Sequence, residues 1–261
     1  MNDTTPLLEV AEIKKSFGQV SVLRGVSLTV APGQVTALVG GNGAGKSTLI
    51  KTIVGVHPPD SGSMRFNGDP YRPRTPSHAR RLGIETVFQD LALVDQLKVW
   101  QNLFLGRELT HRLGPVRLLD RRRMARRSRE MLRELEINVP SVQRRVRRLS
   151  GGQRQGVAIC RATGFGSHLI VMDEPTAALG VQETAKVEEL IVRLRDQGQA
   201  ILLISHDFAQ VLRVADFVWV LYLGRIAGGR RTAETTGQEL VELMTGTRQP
   251  ALSEPSHGLA P

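Results

Sequence analysis

The sequence predicts an α/β fold: a parallel β-sheet core carrying a phosphate-binding loop, a small N-terminal antiparallel β subdomain, and an inserted α-helical subdomain. Three observations carry this expectation. Apolar runs at 35–39, 169–172 and 200–204 have the composition of strands buried on both faces of a parallel sheet. The first of them leads into Gly40-Gly41-Asn42-Gly43-Ala44-Gly45-Lys46-Ser47 and then into helically spaced Leu49, Ile50, Ile53 and Val54. Ahead of it, residues 8–13 alternate apolar and polar, and 20–30 do so less strictly, as antiparallel strands with one exposed face do.

Between the sheet segments, about 90–163 reads as helical. Its plainest amphipathic stretch is 121–137, with Met124, Met131, Leu132 and Leu135 on one side and arginines elsewhere. The runs at 169–172 and 200–204 end in Asp173-Glu174 and Ser205-His206-Asp207. The carboxyl ends of parallel strands are where open α/β sheets place their chemistry. Residues 8–248 then form one domain with the helical subdomain inside it. A disordered N-terminus at 1–7 and a disordered tail at 249–261, which holds three prolines, flank it. No internal repeat is present.

A chain of 261 residues suits one large α/β domain, or a core with a smaller insert. The longest apolar run, 217–223, is far too short to cross a bilayer. Residues 1–9 lack the basic and apolar regions of a secretory signal. The single cysteine, Cys160, excludes an internal disulfide and sits in an apolar stretch that suits a small core residue. A cytosolic protein is expected.

The net charge of +10 is concentrated in one place. Residues 107–148 hold fourteen arginines against five acidic residues, which is nine of the ten net positive charges. Such a block faces water, the phosphates of nucleic acid, or an anionic membrane leaflet. No aromatic residue interleaves these arginines, so base stacking lacks its platform and no nucleic-acid partner is expected.

The glycine-rich loop supplies chemistry for a nucleotide. Backbone N–H groups converge on β- and γ-phosphates only where side chains stay away, which accounts for Gly40, Gly43 and Gly45. Gly41, Asn42, Ala44 and Thr48 complete the same cradle. Lys46 reaches the terminal phosphates as a point charge, and the following helix aims its positive end at them. Ser47 offers a hydroxyl to Mg²⁺. Asp173 emerges at a strand end, where its carboxylate holds Mg²⁺ through water, as a Walker B aspartate does. A nucleotide is thus the expected ligand, with Mg²⁺ as its cofactor.

Leu149-Ser150-Gly151-Gly152-Gln153 reads as a second anion site of the same kind. At a helix start, the Ser150 hydroxyl and the bare amides of Gly151 and Gly152 stand at a positive dipole end. A plain helix N-cap is the alternative. Its position 20 residues before Asp173-Glu174 favours the anion site.

Loop and pentapeptide together make the chain resemble the ATP-binding cassette (ABC) transporter family, whose domains have a P-loop NTPase core. The resemblance spans about 8–246. It is nearest to the ATP-binding subunits of bacterial simple-sugar importers, the ribose, xylose and fructose type. The segments that carry it are Gly83-Ile84-Glu85-Thr86-Val87-Phe88-Gln89-Asp90-Leu91-Ala92-Leu93, Asn102-Leu103-Phe104-Leu105-Gly106-Arg107-Glu108 and Pro175-Thr176-Ala177-Ala178-Leu179-Gly180-Val181.

The resemblance implies roles for individual residues. Glu174 polarises the attacking water as general base, and His206 is the switch histidine that contacts the γ-phosphate. With Lys46 they form the catalytic set. Gln89 senses Mg²⁺ and relays to a membrane partner. Phe17 stacks on adenine, a core phenylalanine being the alternative. Ser150, Gly151, Gly152 and Gln153 grip a nucleotide held by a second copy, because in the family two cassettes pack head to tail.

One intact set of motifs then implies a homodimer with two equivalent sites. It also implies an integral membrane permease as partner and a periplasmic or extracellular sugar-binding protein that feeds it. The subunit would lie peripherally on the cytoplasmic face of a bacterial inner (plasma) membrane, with residues 89–107 against the permease and the basic segment near anionic headgroups. Two departures stand out. Gly180 replaces the aspartate that many cassettes carry, a substitution sugar importers often share, and this chain has one cassette where many such importers fuse two.

The expected function is ATP hydrolysis that energises import of a monosaccharide through a separate permease. One alternative is a soluble cassette ATPase acting on nucleic acid or ribosomes, which usually joins two cassettes or carries long coiled coils. Another is an ATPase serving a different small solute. A non-catalytic subunit would tolerate losses at Lys46, Asp173, Glu174 or His206, and all four are present.

Overall fold

The computed structural model describes residues 5–113, 116–177 and 179–247. The tail at 249–261 and residues 1–4 of the N-terminus lie outside the described residues. Leu7, assigned to a disordered terminus from sequence, is instead held at both ends: its N–H donates to the Val30 carbonyl (2.8 Å) and its carbonyl accepts from the Asn67 N–H (2.7 Å).

The chain divides into two compact units. The first takes the chain up to Thr86, His168–Glu174 and the chain from Ile191 onward. Its elements are β1 (Leu8–Phe17), β2 (Val20–Val30), β3 (Val35–Gly40), α1 (Lys46–Ile53), β4 (Ser61–Phe66), β5 (Asp69–Pro70), α2 (Pro76–Arg81) and β6 (Ile84–Val87). The second unit takes Val87–Ser167 and Pro175–Leu190. It holds α3 (Val99–Leu103), β7 (Thr110–Leu113), β8 (Val116–Leu119), α4 (Arg121–Glu134), α5 (Gly151–Thr163) and most of α6 (Val181–Asp196). The remaining elements, β9 (Leu169–Asp173), β10 (Ala200–Ile204), α7 (Phe208–Val214), β11 (Phe217–Tyr222), β12 (Arg225–Arg231) and α8 (Gly237–Thr245), return to the first.

The first unit has two sheets. The antiparallel one runs β2-β1-β4-β5. Strict alternation from Leu8 and Val10 would send Glu12 inward, at a high cost for a buried carboxylate. A register shift between Val10 and Ile13, with Glu12 in the left-handed region at φ 51°, puts Ile13 in the core instead. The six-stranded sheet runs β12-β11-β3-β10-β9-β6. Its pairs β11 with β3, β3 with β10 and β10 with β9 are parallel, and β12 closes one edge antiparallel to β11. The indole N–H of Trp219 on β11 donates to the Thr29 carbonyl of β2 (2.9 Å), tying the two sheets together.

The three apolar runs are the central strands. Every residue of β3 and β10 is buried, as are Leu169 to Met172 of β9. Leu202 has no exposed surface, so Leu202→Ala is expected to cost about 2–5 kcal/mol of stability, read from urea unfolding. Cys160 is likewise buried, and burial pushes its thiol up to about 12, so it is an unreactive core residue as expected.

In the second unit α4 buries Met124, Ala125, Ser128, Met131 and Leu132, the face anticipated from spacing, and the Asp120 carboxylate caps it by accepting from the Arg123 N–H (2.9 Å). The expectation of helix throughout 90–163 is not met. β7 and β8 form an antiparallel hairpin that interrupts it. Their described residues are largely exposed, so burial leaves no two-residue period to read. Among the described residues no helix is long and apolar enough to cross a membrane.

Candidate nucleotide site

The site grows from the carboxyl ends of β3, β9 and β10, three neighbouring parallel strands of the first unit. Gly40 ends β3 opposite Leu221 of β11, and a Cβ there would stand 2.3 Å from the Leu221 carbonyl oxygen. The sheet itself therefore forbids a side chain at this point. Gly45 is the N-cap of α1 at φ 109°, a backbone state that residues with a Cβ rarely adopt. The loop is held by the Ala44 N–H donating to the Gly41 carbonyl (3.2 Å) and the Ala44 carbonyl accepting from the Gly224 N–H (3.0 Å). Asn42, Gly43 and Ser47 are exposed, Gly41, Gly45 and Thr48 half-buried, and Ala44 buried.

Lys46 opens α1 and is buried to 9% exposure. Its ammonium donates to the Gly40 carbonyl (2.7 Å) and the Gly41 carbonyl (3.1 Å), so it lies folded over the loop. Burial lowers its pKa, while the charges of Glu174 and Asp173 oppose that shift. No acidic residue occupies the first turn of α1. The positive end of the helix and the lysine thus concentrate positive charge at one spot.

Asp173 ends β9, paired with Ile204 of β10. Burial first, then the charge of Glu174, raises its pKa, against the pull of Lys46 and Lys51. Adjacent strand residues face opposite ways, yet Glu174 comes round to the same end because the chain leaves the strand there. Its φ is 49° and its N–H donates to the Ile204 carbonyl (3.0 Å). Such a conformation costs of order 1–3 kcal/mol in a residue with a side chain and persists where surrounding bonds hold it. Glu174 Oε1 then lies 3.1 Å from His206 Nδ1. His206 follows β10 and is held on both sides: Ser205 Oγ donates to Gln210 Oε1 (2.9 Å) and accepts from the Asp207 N–H (3.0 Å), while Asp207 caps α7 through the Gln210 N–H (3.1 Å).

Phe17, at the end of β1, is 44% exposed and packs edge-on against His57 with ring centroids 5.2 Å apart. It is not a core phenylalanine. Lys15 Nζ lies 5.6 Å from the centre of the same ring.

The other sequence-marked residues belong to the second unit. Ser150 caps α5 in a reciprocal box: its Oγ accepts from the Gln153 N–H (3.3 Å), and its N–H donates to Gln153 Oε1 (3.1 Å). Gly151 and Gly152 have packing reasons as well. A Cβ on Gly151 would lie 3.0 Å from Leu179, and one on Gly152 2.8 Å from Glu183. The N-cap geometry is thus present at the pentapeptide, and its glycines let the 179–183 segment pass close by.

Gln89 is exposed in the turn after β6. Two residues on, Leu91 and Ala92 are both left-handed, at φ 59° and 46°. The Arg161 guanidinium, on the last turn of α5, donates to the Leu91 carbonyl (2.9 Å) and the Ala92 carbonyl (2.8 Å). Sequence reading missed this residue, since an isolated helix arginine carries no signal of a loop 70 positions away. Arg161→Met is expected to cost about 1–3 kcal/mol. Hydrogen exchange should quicken across 88–93, and an unchanged exchange profile would contradict the clamp.

The ABC transporter family profile matches residues 23–177. The chain belongs to the ABC transporter family. It is 46% identical, over 92% of its length and 94% of the relative's, to the xylose/arabinose import ATP-binding protein of Sulfolobus acidocaldarius. It is 43% identical, over 94% and 96%, to the fructose import ATP-binding protein of Rhizobium meliloti. Among solved structures, a nucleotide-free ATP-binding cassette from an ABC transporter shares the fold with a TM-score of 0.77 at 28% identity, covering 93% of this chain and 96% of that one. The cassette fold expected from the sequence, an α/β P-loop core with an antiparallel β layer, is the fold observed.

Proposed function

We propose that this cassette binds and hydrolyses ATP to drive import of a monosaccharide through a separate membrane permease. The observation that carries the chemistry is the Glu174–His206 pair, set by adjacent parallel strands at the end where the Lys46 loop leaves the sheet. The relatives named for import of xylose or arabinose and of fructose support the cargo class.

In this reading Lys46 exchanges its two loop carbonyls for the β- and γ-phosphate oxygens, assisted by the backbone N–H groups at the start of α1. Phe17, exposed and backed by His57, offers its face to adenine. Glu174 holds the attacking water and takes its proton, and His206 fixes the carboxylate that does so.

The donor set also fits a hard divalent ion. Among the described residues no three His, Cys, Asp or Glu side chains gather as metal ligands. Mg²⁺ needs no such cage, because it keeps waters and takes one or two protein oxygens plus substrate phosphates. Asp173 and Ser47 would hold it, and when bound it supplies charge neutralisation at the phosphates.

Ser150, Gly151, Gly152 and Gln153 would complete the site of a second identical subunit. That arrangement makes the working form a homodimer on the cytoplasmic side of a permease, fed by a sugar-binding protein. A strain lacking this gene should lose ATP-dependent uptake of one labelled sugar among xylose, arabinose, ribose and fructose. The wild-type gene restores it and the Glu174→Gln allele does not. Undiminished uptake of all four sugars in the deletion strain would contradict the cargo assignment.

A further inference from the structure

The second unit carries a concave basic surface that the ATP site does not use. It encloses about 720 Å³ between α3, the end of β8 and one face of α4, within the size range of a small-molecule pocket. Lys98, Arg121, Arg122, Arg126 and Arg129 line it, and no acidic residue does. The side chains of the four arginines form no ion pair or hydrogen bond among the described residues. Counter-charge is available on the same helix but is spent elsewhere: Glu130 and Glu134 both pair with Arg127, at 3.6 and 3.3 Å, away from the pocket. At its floor Gln143 Oε1, a neutral group, accepts from Lys98 Nζ (3.0 Å) and from the Trp100 indole N–H (3.2 Å).

Two further features concentrate positive charge there. Arg121, Arg122 and Arg123 crowd the first turn of α4, where the helix dipole is itself positive and the single N-cap carboxylate, Asp120, is engaged with the Arg123 N–H (2.9 Å). Across the neighbouring hairpin Arg112 faces Arg117 directly, a like-charged cross-strand pair. Beside the pocket the hairpin exposes apolar side chains, Val116 at 54%, Leu118 at 41% and Leu119 at 47%, and Leu119 itself lines the cavity. Arginines poised for phosphate next to exposed aliphatic groups match the boundary between lipid headgroups and acyl chains.

We propose that this pocket binds the phosphate of an anionic phospholipid, with the β7–β8 hairpin resting at the headgroup level. The guanidiniums supply paired donors for the phosphate oxygens, and Val116 and Leu118 supply the apolar contact. Lys98, Trp100 and Gln101 of the pocket lie in the 89–107 segment expected against the permease, so the site is tested on the isolated chain, where neither nucleotide nor permease enters the readout.

The test is co-sedimentation of the full chain with vesicles of phosphatidylcholine alone and of equal parts phosphatidylcholine and phosphatidylglycerol. The protein should sediment with the anionic vesicles only. Arg126→Glu with Arg129→Glu should weaken that binding about tenfold or more. Arg127→Glu with Arg133→Glu makes the same change of charge on the same helix outside the pocket, and should weaken it clearly less. Melting temperatures report whether the variants fold, and Arg126→Gln with Arg129→Gln, a milder change, should still give a severalfold loss. Equal losses from the two charge reversals, or binding to neutral vesicles alone, would overturn the pocket, and binding to neither would overturn the lipid assignment. If millimolar inorganic phosphate raises the melting temperature of the wild type but not of the pocket variant, and the vesicles fail to sediment the protein, the ligand is a free phosphate and the lipid assignment is wrong.

Discussion

Glu174→Gln is expected to lower ATP turnover by about 10²–10⁴-fold, the contribution of a positioned general base, while ATP binding persists. The amide keeps the size of the carboxylate and an oxygen acceptor toward His206, so the 3.1 Å contact and the left-handed turn at φ 49° have no reason to change. What it loses is the ability to take a proton. With hydrolysis stopped and nucleotide retained, subunits should accumulate as an ATP-bound dimer, visible by gel filtration with Mg²⁺ and ATP. Phosphate release at the wild-type rate would remove Glu174 from its assigned role.

Lys46→Ala should act earlier and differently. The lysine is buried, and its ammonium donates to two loop carbonyls, those of Gly40 and Gly41. Removing a charge-assisted contact of this kind costs about 1.5–3 kcal/mol. ATP affinity should then fall about 10- to 100-fold, measured by calorimetry, and no ATP-bound dimer should form. Asp173 is affected too. Burial and Glu174 already raise its pKa and Lys46 pulls it back. Without the lysine the carboxyl stays protonated to higher pH, so any residual Mg²⁺-dependent nucleotide binding should disappear on acidification sooner than in the wild type. Equal pH profiles for the two proteins would show that the three groups are not coupled.

The central sheet was legible because its strands are buried on both faces, and such strands read as apolar runs whatever surrounds them. The strand–loop–helix at 35–53 was legible because its structural requirements are local: Gly40 answers to a strand end and Gly45 to a helix start within a few residues. The Glu174–His206 contact spans 32 positions and was foreseeable only because both follow strands that lie side by side in a parallel sheet. Where burial gives no pattern the sequence was silent. The β7–β8 hairpin is exposed and carries arginines on both strands, so no burial pattern marked it as strand. The bulge at Glu12 belongs to the same class, since a period of two cannot announce its own interruption. Arg161 shows a third limit: its partners are two carbonyls, which every residue possesses, and no residue identity encodes them. The pentapeptide illustrates two demands on one segment. Its serine and glutamine make a capping box and its glycines make room for the 179–183 segment, so its role toward a second nucleotide cannot be read from the cap alone.

That role is the central claim, and mixing two inactive variants tests it most directly. Lys46→Ala disables the loop and Ser150→Arg disables the signature helix start. In a head-to-tail dimer a mixed pair has one site with both defects and one with neither, whereas each variant alone has no intact site. Equal mixing should therefore restore ATPase activity to about a quarter of the wild-type rate, because half the dimers are mixed and each carries one of two sites. If loop and signature of the same chain act together, mixing restores nothing, and the two-subunit account is wrong.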